Sequence, residues 1–354
     1  MIKIKMRKSK NKEYYTTYHA HSPMTFWIGM GIPKEIPMGD WYKNWWKPLI
    51  YPIESVLTKD DINTLSKLSA LMYIDNKISE VWDMYFFEEE VAKSLSKYGI
   101  RVYAGEVIMK GSKTGYKAHD AVLETEKLIK KFKNNNLIKP VLGYIGPYKW
   151  ASDKEMTKES AELAIKYKIP VHMHGAGSLS DFDGCKKLYG MMPIEVMEHF
   201  GFFSKEIPEV VIAHCAILHE KEINILKNYR DKIRIAVCPR ASKSLNYPFA
   251  TIKNLIQNDI RVVLGTDGSS PSGIPSITKE IETATKIYNI NKRYFEENNK
   301  SRIETKKIEK EKRIYIINRA VDCLENIALK ANLKVKEREI FLRNILNNLN
   351  QLGI

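Results

Sequence analysis

Strand-like and helix-like segments alternate eight times between residues 14 and 288, with short turns between them. Runs rich in β-branched and aromatic residues predict strands at 14–19, 78–84, 101–108, 140–145, 170–174, 210–214, 233–238 and 261–267. Helical periodicity predicts helices at 59–73, 88–97, 119–133, 153–167, 193–200, 220–228, 249–258 and 276–288. Eight such units close most naturally into a (β/α)8 TIM barrel, an α/β fold whose functional groups lie at the carboxyl ends of its strands.

Four of the predicted strands end in residues that bind metal ions in proteins. His19 and His21 end the first strand, and residues two apart on a strand point to the same face. His174, His214 and Asp267 each follow a hydrophobic, β-branched run. The histidine pair alone is equally typical of a solvent-facing strand. Four strands that end in this way predict one shared metal site.

The net charge of +15 is concentrated in the two ends of the chain. Residues 1–12 carry six basic and no acidic residues, and residues 291–354 carry 15 basic and nine acidic residues. We predict a basic N-terminal extension at 1–12, the barrel at 13–290 and a basic helical extension at 291–354. The basic ends are interpreted first as solvated surface and only second as a site for RNA or anions, because no nucleic-acid-binding motif accompanies them.

The C-terminal extension contains two amphipathic patterns. Hydrophobic residues with helical spacing form one set at Ile314, Ile317, Val321, Leu324 and Ala328, and another at Leu342, Ile345, Leu346 and Leu349. We expect both helices to pack on the barrel or on a second subunit. In the second case the protein would be a homo-oligomer.

Cysteine usage and hydropathy predict the cellular compartment of the protein and whether it associates with a membrane. The four cysteines are widely spaced and form no C-x-x-C pair, which argues against a disulfide framework and a zinc ribbon. No signal peptide is apparent and no apolar run is long enough to span a membrane. We therefore expect a cytoplasmic protein without a membrane partner.

An ordered series of short motifs follows the first histidine pair. It comprises HAHSPMT at 19–25, GDW at 39–41, PIE at 52–54, DMY at 83–85, GMMPIE at 190–195, IAHC at 212–215, CPRAS at 238–242 and LGTDG at 264–268. Over about residues 16–290 the series resembles the amidohydrolase superfamily. Within that superfamily it is similar to the branch of triazine hydrolases and nucleoside deaminases that includes S-adenosylhomocysteine and methylthioadenosine deaminases.

The resemblance implies a metal-dependent hydrolase. His19, His21, His174 and Asp267 match the family's ligands to one divalent ion, with zinc as the first expectation and iron as the second. His214 matches the histidine that holds the attacking water. Imidazoles and a carboxylate suit zinc, and Asp267 would accept a proton from the water as it attacks an sp² carbon of a small heterocyclic substrate.

The resemblance also implies substrate contacts. Glu54 matches an acid that contacts ribose hydroxyls in nucleoside deaminases, and a surface position at a helix start is the equally weighted alternative. His172 and Trp41 are further substrate-binding candidates. For the neighbouring tryptophans, including Trp41, packing in the loop after the first strand is favoured over covering a flat ring.

The chain departs from the family at two catalytic positions. Deaminating members carry a proton-transferring glutamate three residues after the third ligand histidine, where this chain has Gly177. A second histidine normally follows His214 by three residues, where this chain has Ile217. General acid–base groups contribute ~10²- to 10⁴-fold to rates, so a substitute is needed. The candidates are Glu106, His172 and Lys149.

The β-sandwich that family members build beside the barrel has no counterpart in the pattern, because only 18 residues precede His19 and the tail is helical in character. Either the chain is a barrel without the sandwich, or its start is misassigned. Two function classes follow. The first is a hydrolase of the aminohydrolase type that breaks a carbon–nitrogen bond. The second is a degenerate barrel that binds a metal or ligand without turnover, or a non-catalytic subunit, and Gly177 and Ile217 are its evidence.

Overall fold

The computed structural model of the chain describes residues 13–29, 46–48, 50–110, 118–269, 273–333 and 335–349. The strands, in chain order, are β1 Tyr14–His21, β2 Ile78–Tyr85, β3 Arg101–Ile108, β4 Ile138–Pro140, β5 Leu142–Tyr144, β6 Val171–His174, β7 Val210–Ala213, β8 Ile233–Val237, β9 Arg261–Leu264, β10 Asp267–Gly268 and β11 Lys300–Ser301. A 3₁₀ helix, Ser22–Gly29, follows β1 directly.

Helices separate the strands. They are α1 Tyr51–Glu54, α2 Lys59–Asp75, α3 Glu88–Ser96, α4 Ala118–Phe132, α5 Lys154–Tyr167, α6 Leu179–Tyr189, α7 Pro193–His199, α8 Glu220–Asn228, α9 Pro239–Ser244, α10 Ile252–Gln257, α11 Ile277–Tyr288, α12 Lys292–Asn298, α13 Lys310–Lys330 and α14 Val335–Leu349. Within the part of the chain that the structure describes, no helix combines the length and the apolar character needed to cross a membrane.

The parallel strands close on themselves. Their order is β10, β1, β2, β3, β5, β6, β7, β8, β9, and β9 and β10 are consecutive pieces of one strand that pair with β8 and β1 respectively. The Thr266 amide donates to the His19 carbonyl at 2.9 Å and so continues this seam. The predicted (β/α)8 barrel is thereby confirmed.

Three local predictions need correction. The fourth strand, predicted at 140–145, is split into β4 and β5; Pro140 has no amide hydrogen to continue the ladder. Helices α6 and α9 were not predicted, although Ser178 and Asp181 form a capping box that marks the start of α6. The helix predicted at 249–258 is shortened to Ile252–Gln257.

Large side chains fill the inside of the barrel. Trp82 stacks on Tyr103 with ring centroids 4.3 Å apart and lies 6.3 Å from the ring of Tyr18. Val141, Val211 and other small apolar residues of neighbouring strands complete this cluster. A barrel interior is thus a packed core and not a pore, so a ligand can enter only above this layer, at the carboxyl ends of the strands.

Helix α13 packs antiparallel on α2. The Arg313 guanidinium is 2.6 Å from Asp75 at one end of α2, and the Lys330 ammonium is 3.3 Å from Asp61 at the other. The buried face is partly rotated from the predicted one, because Ile316 is buried whereas Ile314 is 37% exposed. The α2 surface, rather than the spacing alone, selects which face is covered.

Asn299, which follows α12, holds the seam of the barrel together. Its side-chain amide donates to the Thr16 carbonyl of β1 at 3.0 Å and to the Leu264 carbonyl of β9 at 2.9 Å. Its Oδ1 accepts from the Leu264 amide at 3.2 Å. The side chain is fully buried, so residues beyond 290 contribute directly to closing the sheet. The domain boundary at 290 stays a prediction.

We expect Asn299→Ala to lower the free energy of unfolding by about 3 kcal/mol, since three buried hydrogen bonds are worth ~1 kcal/mol each. Chemical denaturation followed by circular dichroism measures it. Asn298→Ala is the matched control, because that amide bonds only to Tyr294 of its own helix, at 2.8 Å. Equal stability losses in the two variants would contradict the role of Asn299 in the seam.

Candidate metal centre and its cavity

Five side chains from four different strand ends meet at the carboxyl end of the barrel. His19 and His21 belong to β1 and His174 is the last residue of β6. His214 follows β7 and Asp267 begins β10. Because carboxyl ends of neighbouring parallel strands lie at the same edge of a sheet, residues separated by nearly 250 positions become neighbours.

The distances between these side chains fit coordination of one ion. Asp267 Oδ1 lies 3.6 Å from His19 Nε2 and 3.5 Å from His21 Nε2, and Asp267 Oδ2 lies 3.9 Å from His214 Nε2. His19, His21 and His174 form one group whose donor atoms are all within 4.8 Å of one another, and His19, His214 and Asp267 form another. Donors at 2.0–2.2 Å from a common centre lie no more than about 4.4 Å apart, and the three distances to Asp267 satisfy this limit.

Hydrogen bonds orient the two histidines of β1. His21 Nδ1 is 2.6 Å from the Met84 carbonyl, which can only accept a hydrogen bond. Nδ1 therefore carries the proton, and the lone pair of Nε2 is on the side of Asp267. His19 Nδ1 is 2.9 Å from His172 Nε2, while His19 Nε2 is buried without a hydrogen-bond partner. Such outer contacts are typical of metal-ligating histidines. The residues present therefore fit a divalent ion.

Burial favours the neutral imidazole of His19, His174 and His214. Loss of hydration lowers the pKa of His19 and His174 well below the usual value, with neighbouring histidines adding to the effect. The pKa of His214 is lowered for the same first reason. A neutral imidazole offers a lone pair at neutral pH, which is the form that binds metal.

The backbone is strained where the site residues leave their strands. His214 has φ of 66° and Asp267 has φ of 57°, a region that costs such residues about 1–3 kcal/mol each. Close approach of β1 to the seam also requires Gly265, since a Cβ there would lie 2.6 Å from His19 Cβ. Packing elsewhere in the barrel offsets this strain.

A cavity that opens to solvent lies above these five side chains, and its empty space, with the adjoining open solvent included, is about 820 Å³. Its described wall is mostly apolar or aromatic, and it includes Met24, Trp46, Met84, Phe86, Met109, Ile145, Tyr148, Trp150, Leu245 and Tyr247. Three carboxylates, Glu54, Asp181 and Asp267, also reach it, and no lysine or arginine does among the described residues. The cavity suits a flat, uncharged or cationic molecule.

Glu54 lies in the cavity wall and not on the surface. It is 3% exposed and accepts a hydrogen bond from the Tyr85 hydroxyl at 2.7 Å. Burial raises the pKa of Glu54 to about 8. A carboxyl group with this pKa changes its ionisation easily when a polar ligand arrives.

None of the three candidate replacements for the proton-transferring group, Glu106, His172 and Lys149, is part of the described cavity wall. Glu106 is buried, and its two oxygens accept from the backbone amides of Phe87 at 3.0 Å and Glu88 at 2.8 Å, so it caps the start of α3. Lys149 is exposed. Neither is part of the described wall, so the structure does not bring them to the ligand group.

The predicted substrate-binding residues are also distributed differently from expectation. His172 is fully buried beneath His19, with its ring edge-on to Trp82. Its Nε2 lies 2.9 Å from His19 Nδ1, and it is not part of the described cavity wall. Trp41 lies outside the described residues. Trp46, from the same tryptophan group, does line the cavity.

Tyr148, Asp181 and Tyr247 are among the cavity residues that were not predicted. Tyr148 donates to the His174 carbonyl at 2.8 Å, and Asp181 accepts from Trp150 Nε1 at 3.0 Å. Tyr247 lies edge-on to His214. Only Asp181 carried a sequence signal, through its capping box, because the other two are ordinary aromatic residues in loops.

A family comparison matches most of the chain. The model of the amidohydrolase family matches residues 18–304. A 5-methylthioadenosine/S-adenosylhomocysteine deaminase of Aquifex aeolicus is 29% identical over 276 residues, which are 77% of this chain and 61% of that protein. A 5′-deoxyadenosine deaminase of Methanocaldococcus jannaschii is 29% identical over 272 residues, which are 76% of this chain and 62% of that protein. The chain thus spans about three fifths of the length of these curated relatives.

Solved structures agree on the fold. An adenosine deaminase from Xanthomonas campestris with bound zinc superposes with a TM-score of 0.71 at 19% identity, covering 78% of this chain and 61% of that one. A guanine deaminase from C. acetobutylicum with bound guanine gives a TM-score of 0.67 at 25% identity, covering 77% and 65%. The resemblance inferred from the motif series is confirmed by these matches.

Proposed function

Because the chain belongs to the amidohydrolase family, we propose that it is a metal-dependent aminohydrolase that removes an amino group from a heterocyclic ring as ammonia. The observation that carries the proposal is the convergence of two overlapping donor groups below an open cavity, with His19, His21 and His174 in one and His19, His214 and Asp267 in the other. The two relatives named above are deaminases, which supports cleavage of a carbon–nitrogen bond.

We assign the ion as zinc, held by His19, His21, His174 and Asp267. Three imidazoles and a carboxylate form a donor set that suits zinc, and a related structure carries zinc. When bound, the ion supplies the polarisation that lowers the pKa of a water molecule from about 16 toward 7.

The chain's own residues would then control the protons. His214, with Nε2 3.9 Å from Asp267 Oδ2, orients the attacking water by hydrogen bonding. Asp267 accepts one proton of the water as the new carbon–oxygen bond forms, and it returns that proton to the departing amine. The second proton of the water ends on the ring nitrogen beside the attacked carbon. The products are a ring carbonyl and one molecule of ammonia.

The substrate class that the cavity suits best is an adenosine with a small apolar 5′ substituent, such as 5′-deoxyadenosine or 5′-methylthioadenosine. Aromatic and methionine side chains dominate the described wall, and they would enclose the purine and the apolar 5′ group. Glu54 would accept hydrogen bonds from the ribose hydroxyls, as the sequence resemblance implied. S-Adenosylhomocysteine, with a charged amino-acid tail, should be a poorer substrate because no cation of the described wall would pair with its carboxylate.

Ammonia release from these nucleosides, from adenine and from S-adenosylhomocysteine tests the proposal. We expect turnover of the two apolar nucleosides and little from the others. The KM for the nucleosides should fall as pH rises from 6 toward 8, because Glu54, with its pKa of about 8, binds the hydroxyls best when ionised. Glu54→Gln should raise this KM by roughly tenfold, the loss of a charge-assisted hydrogen bond, and remove the pH dependence.

Glu106→Gln is the matched control for Glu54→Gln. Both glutamates are 3% exposed, and burial raises the pKa of both to about 8, but Glu106 lies outside the described cavity wall. We expect it to leave the KM unchanged. A metal-loaded protein that releases no ammonia from any amine would reject the aminohydrolase and favour a binding protein or a non-catalytic subunit.

A further inference from the structure

Two buried carboxyl groups, those of Asp83 and Glu88, lie beside the strand that carries the first two ligand histidines. Asp83 is near the end of β2, in the DMY motif, and Glu88 is the first residue of α3. Both residues are 0% exposed, and neither is part of the described cavity wall. Burial of a charge without a partner is costly, so two acids at this place are expected to have a partner and a role.

Asp83 is bonded to the residue that follows a ligand histidine. Asp83 Oδ2 accepts from the Ser22 amide at 2.8 Å and also from the Ser22 hydroxyl. Ser22 comes directly after His21. In the pairing of β1 with β2, Asp83 is opposite Ala20. Because the peptide that joins His21 to Ser22 is planar, the bond to the Ser22 amide fixes the backbone just after the ligand.

Further hydrogen bonds hold the same turn. The Ser22 hydroxyl lies 2.8 Å from the Tyr73 hydroxyl, and the Ser22 carbonyl accepts from the Ser69 hydroxyl; both partners belong to α2. The Met84 carbonyl, on β2, accepts from His21 Nδ1 at 2.6 Å. Two neighbouring residues of β2 therefore hold the ring of His21 and the backbone that follows it.

Glu88 is the hydrogen-bonding neighbour of Asp83. Both oxygens of Glu88, and Asp83 Oδ1, are buried without an N–H or hydroxyl partner among the described residues. Burial raises the pKa of Glu88 well above its usual value, and the charges of Asp83 and Glu106 and a hydrogen bond with Asp83 raise it further. The Tyr85 amide, which lowers this pKa, has the smallest effect. A proton on Glu88 turns an unsatisfied acceptor into a donor and satisfies Asp83 Oδ1 as well.

The two carboxyl groups differ in which form their surroundings favour. Asp83 accepts two hydrogen bonds from Ser22, and such donors favour the ionised form of a carboxyl group. Burial raises the pKa of Asp83 to about 6, while hydrogen bonds from Ser22 and Glu88 and the nearby His21 oppose this rise. Asp83 is therefore ionised at neutral pH, and the proton is on Glu88. Hydrogen bonds from an acid to a carboxylate are short and strong.

We infer that Glu88 is a carboxylic acid that donates a hydrogen bond to Asp83 Oδ1, and that this pair positions the ligand His21 through the turn that follows it. The inference rests on the proposed function, which it deepens by assigning two positioning residues outside the cavity. Contacts of this kind orient metal ligands, and their loss typically lowers metal affinity ~10- to 100-fold.

Zinc affinity, measured by competition with a chromophoric chelator, tests the role of Asp83. We expect Asp83→Ala to bind zinc roughly 10- to 100-fold more weakly than the parent protein. Glu80→Ala is the matched control. Glu80 also lies on β2 and accepts from Thr16 of β1 at 3.3 Å and from Ser301 at 2.6 Å, but it is three residues nearer the start of the strand. This variant should lose stability and keep its zinc affinity within threefold.

The outcomes separate this inference from the proposed function. A parent protein that binds zinc, with an Asp83→Ala variant of affinity within threefold, would overturn the inference and leave the metal centre intact. A parent protein that binds no zinc would reject the metal centre and the inference together.

Substitutions of Glu88 test the proton, and they also serve if Asp83→Ala folds poorly. Glu88→Gln offers an N–H donor in place of the O–H, so its zinc affinity should stay within threefold of the parent value. Glu88→Met has a similar length but no donor, which leaves Asp83 Oδ1 unsatisfied. We expect this variant to bind zinc about tenfold more weakly. Equal zinc affinities in the two variants, whether high or low, would contradict the inference.

Infrared spectroscopy of the purified protein detects the proton without turnover. At pH 7 the parent protein should show the carbonyl stretching band of a buried carboxylic acid that Glu88→Gln lacks. Burial also raises the pKa of Glu54 and Glu106 to about 8, but their bands are common to both proteins and cancel in the difference spectrum. A difference spectrum without this band would show that Glu88 is ionised, and the inference would then be wrong.

Discussion

Asp267→Asn is expected to lower kcat by about 10³-fold or more, because it removes both an anionic ligand and the proton acceptor for the water. General acid–base groups alone contribute ~10²- to 10⁴-fold. Asp267 is the carboxylate closest to the histidine group, with oxygens 3.5 Å from His21 and 3.6 Å from His19. The measurements are steady-state ammonia release at saturating nucleoside and metal content by elemental analysis.

Asp259→Asn controls for this change. Both aspartates have φ of 57°, a conformation that asparagine also tolerates, but Asp259 is exposed and lies before β9 at the opposite end of the barrel. We expect the Asp259→Asn variant to have the same kcat as the parent protein. If Asp267→Asn retained kcat within threefold while its metal content was unchanged, the proton acceptor would have to be another residue.

His19→Ala is expected to lose the ion, with metal content falling from about one per chain to less than a tenth. His19 is the residue common to both donor groups, and its buried Nε2 has no hydrogen-bond partner among the described residues. Activity should fall with the metal. His199→Ala, at an exposed position on α7, is the matched control and should keep its ion.

Removing the ion from the parent protein by a chelator gives the same test without a substitution. A ligand at 100 times its Kd stabilises the folded state by about 2.7 kcal/mol, so the melting temperature should drop on chelation and recover when zinc is added. His19→Ala should show no response to either treatment. A parent protein that holds no ion and gains no stability from zinc would refute the metal centre.

Much of the candidate site was predictable because its signals are local in sequence. Metal-ligand residues at strand ends need only the strand pattern, since strand ends of a parallel barrel face the same side. His19, His21, His174 and Asp267 were grouped in this way as predicted ligands. In the structure, the donor atoms of His19, His21 and His174 lie within 4.8 Å of one another, as do those of His19, His214 and Asp267. Glu54 was equally balanced between surface and cavity, because a four-residue helix such as α1 has no periodicity that reveals its buried side.

The parts that were not predictable depend on which distant segments pack together. Glu106 and His172 both lie near the ends of predicted strands and so were considered as site residues. The structure directs Glu106 to the backbone of α3 and His172 to the ring of His19. One residue along a strand reverses the face of a side chain, and near a strand end the twist and following loop decide where it points.

The sequence by itself determined the alternating barrel and the residues that end its strands, because hydrophobic periodicity and ligand chemistry are properties of short segments. Only the tertiary structure decided that Asn299 closes the seam between β1 and β9, and that Tyr247 fills the space left by Gly177. Both contacts join residues far apart in the chain, and no spacing encodes them. They arise because closure of the barrel brings loops that follow different strands next to one another. Which side chains then make contact depends on the shape of the space between the loops and on which polar groups still need a hydrogen-bond partner.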